Sequence, residues 1–581
     1  MSTNFVKQYL PILNWLPGYN RQMFSSDGMA GLIVAIMLVP QGMAYALLAG
    51  LPPEVGLYAS ILPLVLYGLL GSSRALAVGP VAIVSLMVAS TVGSFAESGS
   101  PDYIVAAIML AALSGVFLLG MGLLRLGFLV NFLSHPVISG FTSAAALVIG
   151  FSQLKHLLGF NIPRSHLITE TIHHAISHIS QLNPVTFAIA VFSLGLLLFW
   201  KNKVPGLLKA SRVPEGVANP LSKAGPLVAV LITTMSVWIF GLNGTSGVAI
   251  VGDIPAGLPP LSVPAFNLEL MRELLPAAIL ISLVGFLESV SVAKSLASKK
   301  RQKIDANQEL VALGAANIGA ALTSGYAVTG GFSRSMVNFT AGAVTPLASI
   351  ITAGLIALTV VLLTPLLYFL PKATLAAIIV VAVASLIDFK TFKDSWIYNK
   401  ADAVSLIATF VAVLTLGVEI GIVVGAIISI ALYLWRTSRP HMAVVGRVGT
   451  TEHFRNVLRH EVQTHPQVLM VRVDESLYFA NTAYLEDELL ARVADQPEID
   501  HLVLIMNAVN FIDASALETL ETLSHQLRDS DVTLHMAEVK GPVMDRLNRV
   551  DFTAHLGKGN IYLSTHEAVE DLTGGLKSNA A

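Results

Sequence analysis

One arginine interrupts a stretch that otherwise carries no charge. "SGYAVTGGFSRSMVNFTAGAVTPLASI", Ser324 to Ile350, places Arg334 three residues after Gly330-Gly331. An arginine deep in a bilayer costs a few kcal/mol or more, so it is normally there for a partner or a substrate. Glu288 is the sole acid of the run "LLPAAILISLVGFLESVSVAKS" and is a natural proton acceptor, its charge depending on what is bound nearby. Gln41 and Tyr45 stand four apart and share a helix face, so both can reach one site. Together these types suit recognition of an anion by a cation, an amide and a hydroxyl, with a carboxylate to couple a proton. Each has a plainer alternative: an ion pair between Arg334 and Glu288, and interhelical hydrogen bonding by Gln41 and Tyr45.

The chain that must position them has 581 residues, 54% hydrophobic and only 12% charged, where soluble domains carry about twice that charge fraction. It therefore reads as an integral membrane protein. Apolar runs recur between about Gly28 and Trp435, which makes the fold polytopic and α-helical; a β-barrel would show short alternating strands. Cysteine is absent, excluding disulfides, thiolate nucleophiles and cysteine metal sites, and the net charge of -2 gives no indication of nucleic-acid binding.

No phosphate-binding G-x-x-x-x-G-K-[ST] loop occurs, and "HEVQTH", His460 to His465, lacks the zinc-protease spacing. His174 and His178 lie at helical spacing in "HLITETIHHAISH", without acidic or cysteine ligands following, and suit an interfacial helix better than a metal site. No enzymatic constellation, metal or cofactor is expected. Ser85, Ser90 and Thr91 suit packing or glue more than ligation.

Apolar windows predict about fourteen membrane segments, near 28-50, 54-71, 80-95, 103-124, 127-153, 184-200, 226-241, 274-296, 305-322, 330-344, 346-366, 373-387, 402-417 and 419-436. They define a transmembrane domain over 28-437, preceded by a cytoplasmic amphipathic segment, 1-27. Lysine and arginine fall in alternate connections, for example Arg74, Arg125 and the run Lys299 to Lys303. By the positive-inside rule those connections and both termini are cytoplasmic, as in a multi-pass protein of the cell (inner) membrane.

The third and tenth segments are short and follow Gly79-Pro80 and Gly330-Gly331. Split seven and seven, they are number three of two inverted halves, and such interrupted segments mark a transporter's central site. Each can be an extended piece followed by a half-helix starting near the midplane. Converging N-termini with free N–H groups bind an anion, and Arg334 on the first turn of the second adds a full charge.

From about Pro440 the composition becomes that of a soluble α/β domain, 440-575. "VLMVRVDESLYFAN", "HLVLIMNAVNFID" and "VTLHMAEV" read as buried strands between helices at 481-494, 514-528 and 541-550, and "GGLKSNAA" reads as a disordered tail.

Four motifs, "VPQGMAYALLAGLPPEVGLYAS", "AVGPVAIVSLMV", "FLESVSVAK" and "GGFSRSMVN", resemble the SulP sulfate permeases, solute-carrier anion transporters that end in a STAS domain. The resemblance covers nearly the whole chain. It implies a seven-plus-seven inverted repeat, a core bundle of segments 1-4 and 8-11 moving against a gate bundle of 5-7 and 12-14, and a homodimer. It carries substrate contacts onto Gln41, Tyr45, the backbone around Val81, Phe332, Ser333 and Arg334, and the acidic position of the eighth helix onto Glu288. Sodium-using bicarbonate relatives have a hydroxyl one turn after that acid; here it is Val292, which disfavours sodium and favours a coupled proton. In the tail, "FIDASALETLE" places Ser515 at the position phosphorylated in sporulation relatives, although Ala516 replaces the usual glycine; a helix N-cap role for Asp513 or Ser515 is the better reading.

The expectation is a secondary active anion transporter, sulfate first, by proton symport and alternating access. Its competitors are a bicarbonate or dicarboxylate transporter or exchanger, a nucleobase permease, which would need paired acids, and a non-transporting anion or voltage sensor.

Overall fold

The computed structural model describes residues 10–574 apart from 133, 164–167, 215–217, 219–220 and 264–266. The first nine residues of the expected N-terminal segment, and 575–581 of the expected disordered tail, lie outside the described residues.

Two compact units divide between Ser429 and Ile430. In the first, helices occupy the predicted apolar segments: α1 Arg21–Leu48, α2 Pro53–Leu70 (broken after Tyr58), α3 Ala82–Val92, α4 Pro101–Leu123, α5 His135–Ser152, α6 Pro184–Ala210 and α7 Gly225–Phe240. The second half repeats the series with α8 Leu268–Lys299, α9 Ala306–Leu322, α10 Phe332–Thr340, α11 Leu347–Leu362, α12 Lys372–Val383, α13 Lys400–Leu416 and α14 Val418–Thr437, the last running across the division between units. Among the described residues, eight helical stretches are long and apolar enough to cross a membrane. The shortest, α3 and α10, are the two interrupted segments.

The scarce polar residues mark where helices start. Asn20 accepts from the Met23 N–H, so α1 begins at Arg21 rather than near 28. Ser100, Asn183, Asn267 and Asp305 cap α4, α6, α8 and α9 in the same way. The fifth segment starts at His135, later than the expected 127, because a 3₁₀ stretch, Leu126–Phe132, precedes it.

Lipid tails are as apolar as leucine, so helices here associate by close approach rather than by the hydrophobic effect. A Cβ on Gly56 of α2 would stand 2.0 Å from the Gly42 carbonyl of α1, and one on Gly314 of α9 would stand 2.9 Å from the Gly115 carbonyl of α4. α1–α4 and α8–α11 pack together, as do α5–α7 with α12 and α13, and Gly421 and Gly425 of α14 face Val413 and Thr409 of α13.

The second unit holds a six-stranded sheet in the order β4-β3-β5-β6-β7-β8. The predicted strands are its parallel centre: β5 Val468–Val473, β6 His501–Ile505 and β7 Thr533–Ala537. β3 Met442–Arg447 and β4 Phe454–Asn456 add an antiparallel edge, and β8 Ile561–Tyr562 extends the other side. Asp513 caps the helix Ala514–Asp529 by accepting from the Ala516 N–H at 2.8 Å, while Ser515 lies exposed on its first turn.

Candidate anion site

Two short strands cross where the interrupted segments meet. β1 Val78–Gly79 pairs antiparallel with β2 Thr329–Gly330, and the Gly331 N–H donates to the Ala77 carbonyl at 3.1 Å. Extended backbone inside hydrocarbon costs several kcal/mol for each unmet polar group, so each strand supplies the other's partners. Both strands run into half-helices: α3 starts after Val81 and α10 after Gly331, and neither cap residue makes a side-chain hydrogen bond. The first-turn N–H groups and the positive dipole ends are therefore left to whatever binds there.

Arg334 is 2% exposed and turns back under the crossing instead of projecting from the half-helix. Its Nη1 donates to the Pro80 carbonyl, while Nε and Nη2 are buried without an acceptor. Glycine makes the space: a Cβ on Gly331 would lie 3.1 Å from Nη2, and one on Gly79, which has φ +149°, would lie 3.4 Å away.

Glu288, Tyr45 and Tyr326 are the titratable side chains close enough to act on the guanidinium. Among the described residues Arg334 forms no ion pair with Glu288, whose Oε2 is buried without a hydrogen bond. The plain ion-pair alternative has no contact behind it in this conformation. Gln41 is buried one turn before Tyr45, and its Oε1 likewise lacks a partner. Val81 is the buried cap of α3, whereas Phe332, at 46% exposure, and Ser333 sit on the outward side of the first turn of α10. Val292 is buried among apolar groups.

The residues that brace the crossing were not singled out from the sequence. Ser289 of α8 accepts from the Gly330 N–H at 2.8 Å and bonds the Thr329 hydroxyl at 2.7 Å. Asn317 of α9 pairs with both backbone groups of Val328, and Ser335 accepts from the Ala77 N–H. A lone asparagine in the apolar run "ALGAANIGAAL" is the signal that could have found Asn317. Ser85 bonds Tyr326 and Thr91 bonds Glu419, which agrees with their reading as glue. His174 and His178 stack at 4.1 Å, and no metal-competent cluster of three occurs among the described residues.

The Sulfate permease family model matches residues 24–409, well over half of the chain, and the STAS domain model matches 459–568. The chain belongs to the sulfate permease family. It is 38% identical to the probable sulfate transporter 4.2 of Arabidopsis thaliana, over 98% of this chain and 84% of that protein. Its fold is similar to the murine Slc26a9 anion transporter in the inward-facing state, with a TM-score of 0.89 and 25% identity over 99% of this chain and 96% of that one. The transmembrane domain of the cyanobacterial bicarbonate transporter BicA shares the fold alone, with a TM-score of 0.59 and 22% identity over 71% of this chain and 98% of that one. This permease is a polytopic membrane anion transporter with a C-terminal STAS domain, of a family of transporters rather than enzymes. The crossing strands join the two halves of its membrane unit, with the buried arginine beneath them.

Proposed function

We propose that this permease carries sulfate by proton symport and alternating access, as a homodimer in the inner membrane with both termini cytoplasmic. One observation carries the reading: two half-helix N-termini without side-chain caps meet at a buried arginine that keeps two donors without acceptors. In this reading Arg334 and the first-turn N–H groups hold the anion, Gln41 and Tyr45 complete its shell, Val81, Phe332 and Ser333 shape the mouth, and Glu288 takes the coupled proton. The names of the relatives support sulfate.

Moving a dianion into a negative interior costs about 4.6 kcal/mol at 100 mV, so accumulation needs co-transported cations or an exchanged anion. Val292 gives a sodium ion no hydroxyl and Glu288 offers a proton acceptor, which together favour proton symport. Radiolabelled sulfate uptake into proteoliposomes, with and without an imposed pH gradient, tests this: accumulation should follow the gradient. A panel with bicarbonate and dicarboxylates separates the competing substrates, and charge movement without flux would favour a sensor. Ser515 is proposed as a regulatory position, tested by comparing uptake by Ser515→Asp and the parent.

A further inference from the structure

Two fully buried carboxylates lie away from the crossing, Asp27 in the second turn of α1 and Glu309 in the first turn of α9. Asp27 of α1 accepts from the Val344 and Thr345 N–H groups at 2.7 and 3.1 Å through Oδ1, and from the Thr345 and Tyr19 hydroxyls at 2.6 and 3.1 Å through Oδ2. Glu309 of α9 accepts from the Ser72 N–H, the Ser72 hydroxyl and the Ser73 N–H at 2.8, 2.7 and 3.0 Å through Oε1, and from the Tyr67 hydroxyl at 2.9 Å through Oε2.

The segments they grip are the anchors of the two interrupted elements. Ser72 and Ser73 lead into β1, and the Ser73 hydroxyl accepts from the Leu76 N–H at 3.2 Å. Val344 and Thr345 follow α10, in a link also held by Lys300, whose Nζ donates to the Ala343 carbonyl at 2.7 Å. The acid from the first half grips the segment of the second, and the acid from the second half grips that of the first. From Glu309 the connection runs through β1 to the Pro80 carbonyl, which holds Arg334 Nη1; from Asp27 it runs through α10, whose Asn338 donates to the Ala75 carbonyl at 3.1 Å.

We propose that Asp27 and Glu309 are positioning residues of the anion site, a reciprocal pair of carboxylate clamps that fix both half-helix starts, and with them Arg334, as one rigid unit. The proposal rests on the anion-site reading of Arg334. Hydrogen bonds to a carboxylate are roughly twice as strong as neutral ones, and a backbone N–H left without its acceptor in a buried place is costly. A loosened clamp therefore acts on affinity, because Arg334 would have to be ordered by the anion itself.

The test uses the full chain in detergent, with sulfate binding read by calorimetry. Glu309→Ala and Asp27→Ala should each raise the sulfate Kd about tenfold or more, equal to about 1.4 kcal/mol. Glu309→Gln and Asp27→Asn keep one oxygen for the backbone donors and should show only about a two- to threefold rise. Ser72→Ala, which removes one clamp bond, should fall in the same mild range and serves if an alanine variant fails to fold. Hydrogen exchange over 75–81 and 327–333 should quicken in parallel. Unchanged Kd or unchanged exchange in a folded Glu309→Ala or Ser72→Ala protein would overturn the proposal. Arg334→Ala is the separate control: if it binds sulfate normally, the anion-site reading falls, while the exchange data still decide whether the clamps hold the crossing.

Discussion

Replacing Arg334 by lysine tests the site more sharply than removing it. Lysine keeps the charge but not the fork, and in this structure the fork has two tasks. Nη1 holds the Pro80 carbonyl, and Nε and Nη2 remain for a ligand. A single ammonium on a shorter reach must choose between them. A hydrogen bond to a charged group contributes about 1.5–3 kcal/mol, so loss of one predicts roughly a 10- to 100-fold weaker sulfate affinity for Arg334→Lys. Arg334→Ala loses both donors and the charge, and should bind more weakly still by a similar step. Calorimetric titration of sulfate into the purified full chain measures both, with size-exclusion profile and thermal unfolding as controls for folding. Equal affinity in the parent and in folded Arg334→Lys would refute the argument, because it would mean that fork geometry makes no contact with the anion.

Three further outcomes follow from other contacts. Glu288→Gln removes a charge while keeping size, so sulfate binding should survive and pH-driven accumulation in proteoliposomes should disappear; intact accumulation would remove Glu288 from the coupling. Gly56→Ala places a methyl against the Gly42 carbonyl and should destabilise the membrane unit by about 1–3 kcal/mol or more, visible as a lowered thermal midpoint in detergent, with an unchanged midpoint counting against the close α1–α2 packing. In the STAS sheet, burial and then the neighbouring His501 push His535 down to about 4, and its Nδ1 accepts from the Asn560 N–H. The unfolded chain therefore takes this proton first, near pH 6.5, so stability is full above that and falls as pH drops toward 4, by up to about 3 kcal/mol. Denaturant titration of residues 440–574 at pH 7.5 and 5 measures that slope, and His535→Gln should flatten it.

What could be read from the sequence and what could not divides along a physical line. The interrupted segments announced themselves because Gly79-Pro80 and Gly330-Gly331 weaken a helix where they stand, and because a charge among apolar residues is conspicuous in one dimension. The centre of the STAS sheet was equally plain, since strands buried on both faces are continuous apolar runs, whereas the edge strands β4 and β8 are short and sit among polar residues. The direction of Arg334 was not readable: on a helix model it points outward from the first turn, and only the glycines facing it across the crossing let it fold back. Asp27 and Glu309 were hidden for a different reason. An acid near a helix start is an ordinary complement to the dipole, and Glu309 lies in the first turn of α9 just after its true cap, Asp305.

Nothing local distinguishes such a first-turn acid from a clamp on a segment more than two hundred residues away. Yet this is the arrangement that the proposed anion site between two inverted halves requires. The half-helices must leave their N–H groups without caps in order to bind, so their positions cannot be fixed at the ends that face the ligand. Fixing them from the far ends leaves the binding donors free. Side chains from the opposite half serve this best, because the two starts are then tied to each other and not merely to their own chain neighbours. The braces Asn317, Ser289, Asp27 and Glu309 have their hydrogen bonds made, while Arg334 and Glu288 keep buried atoms without partners. A buried polar atom without a partner is costly, and in the proposed site the guanidinium of Arg334 is where the anion would supply what the protein withholds.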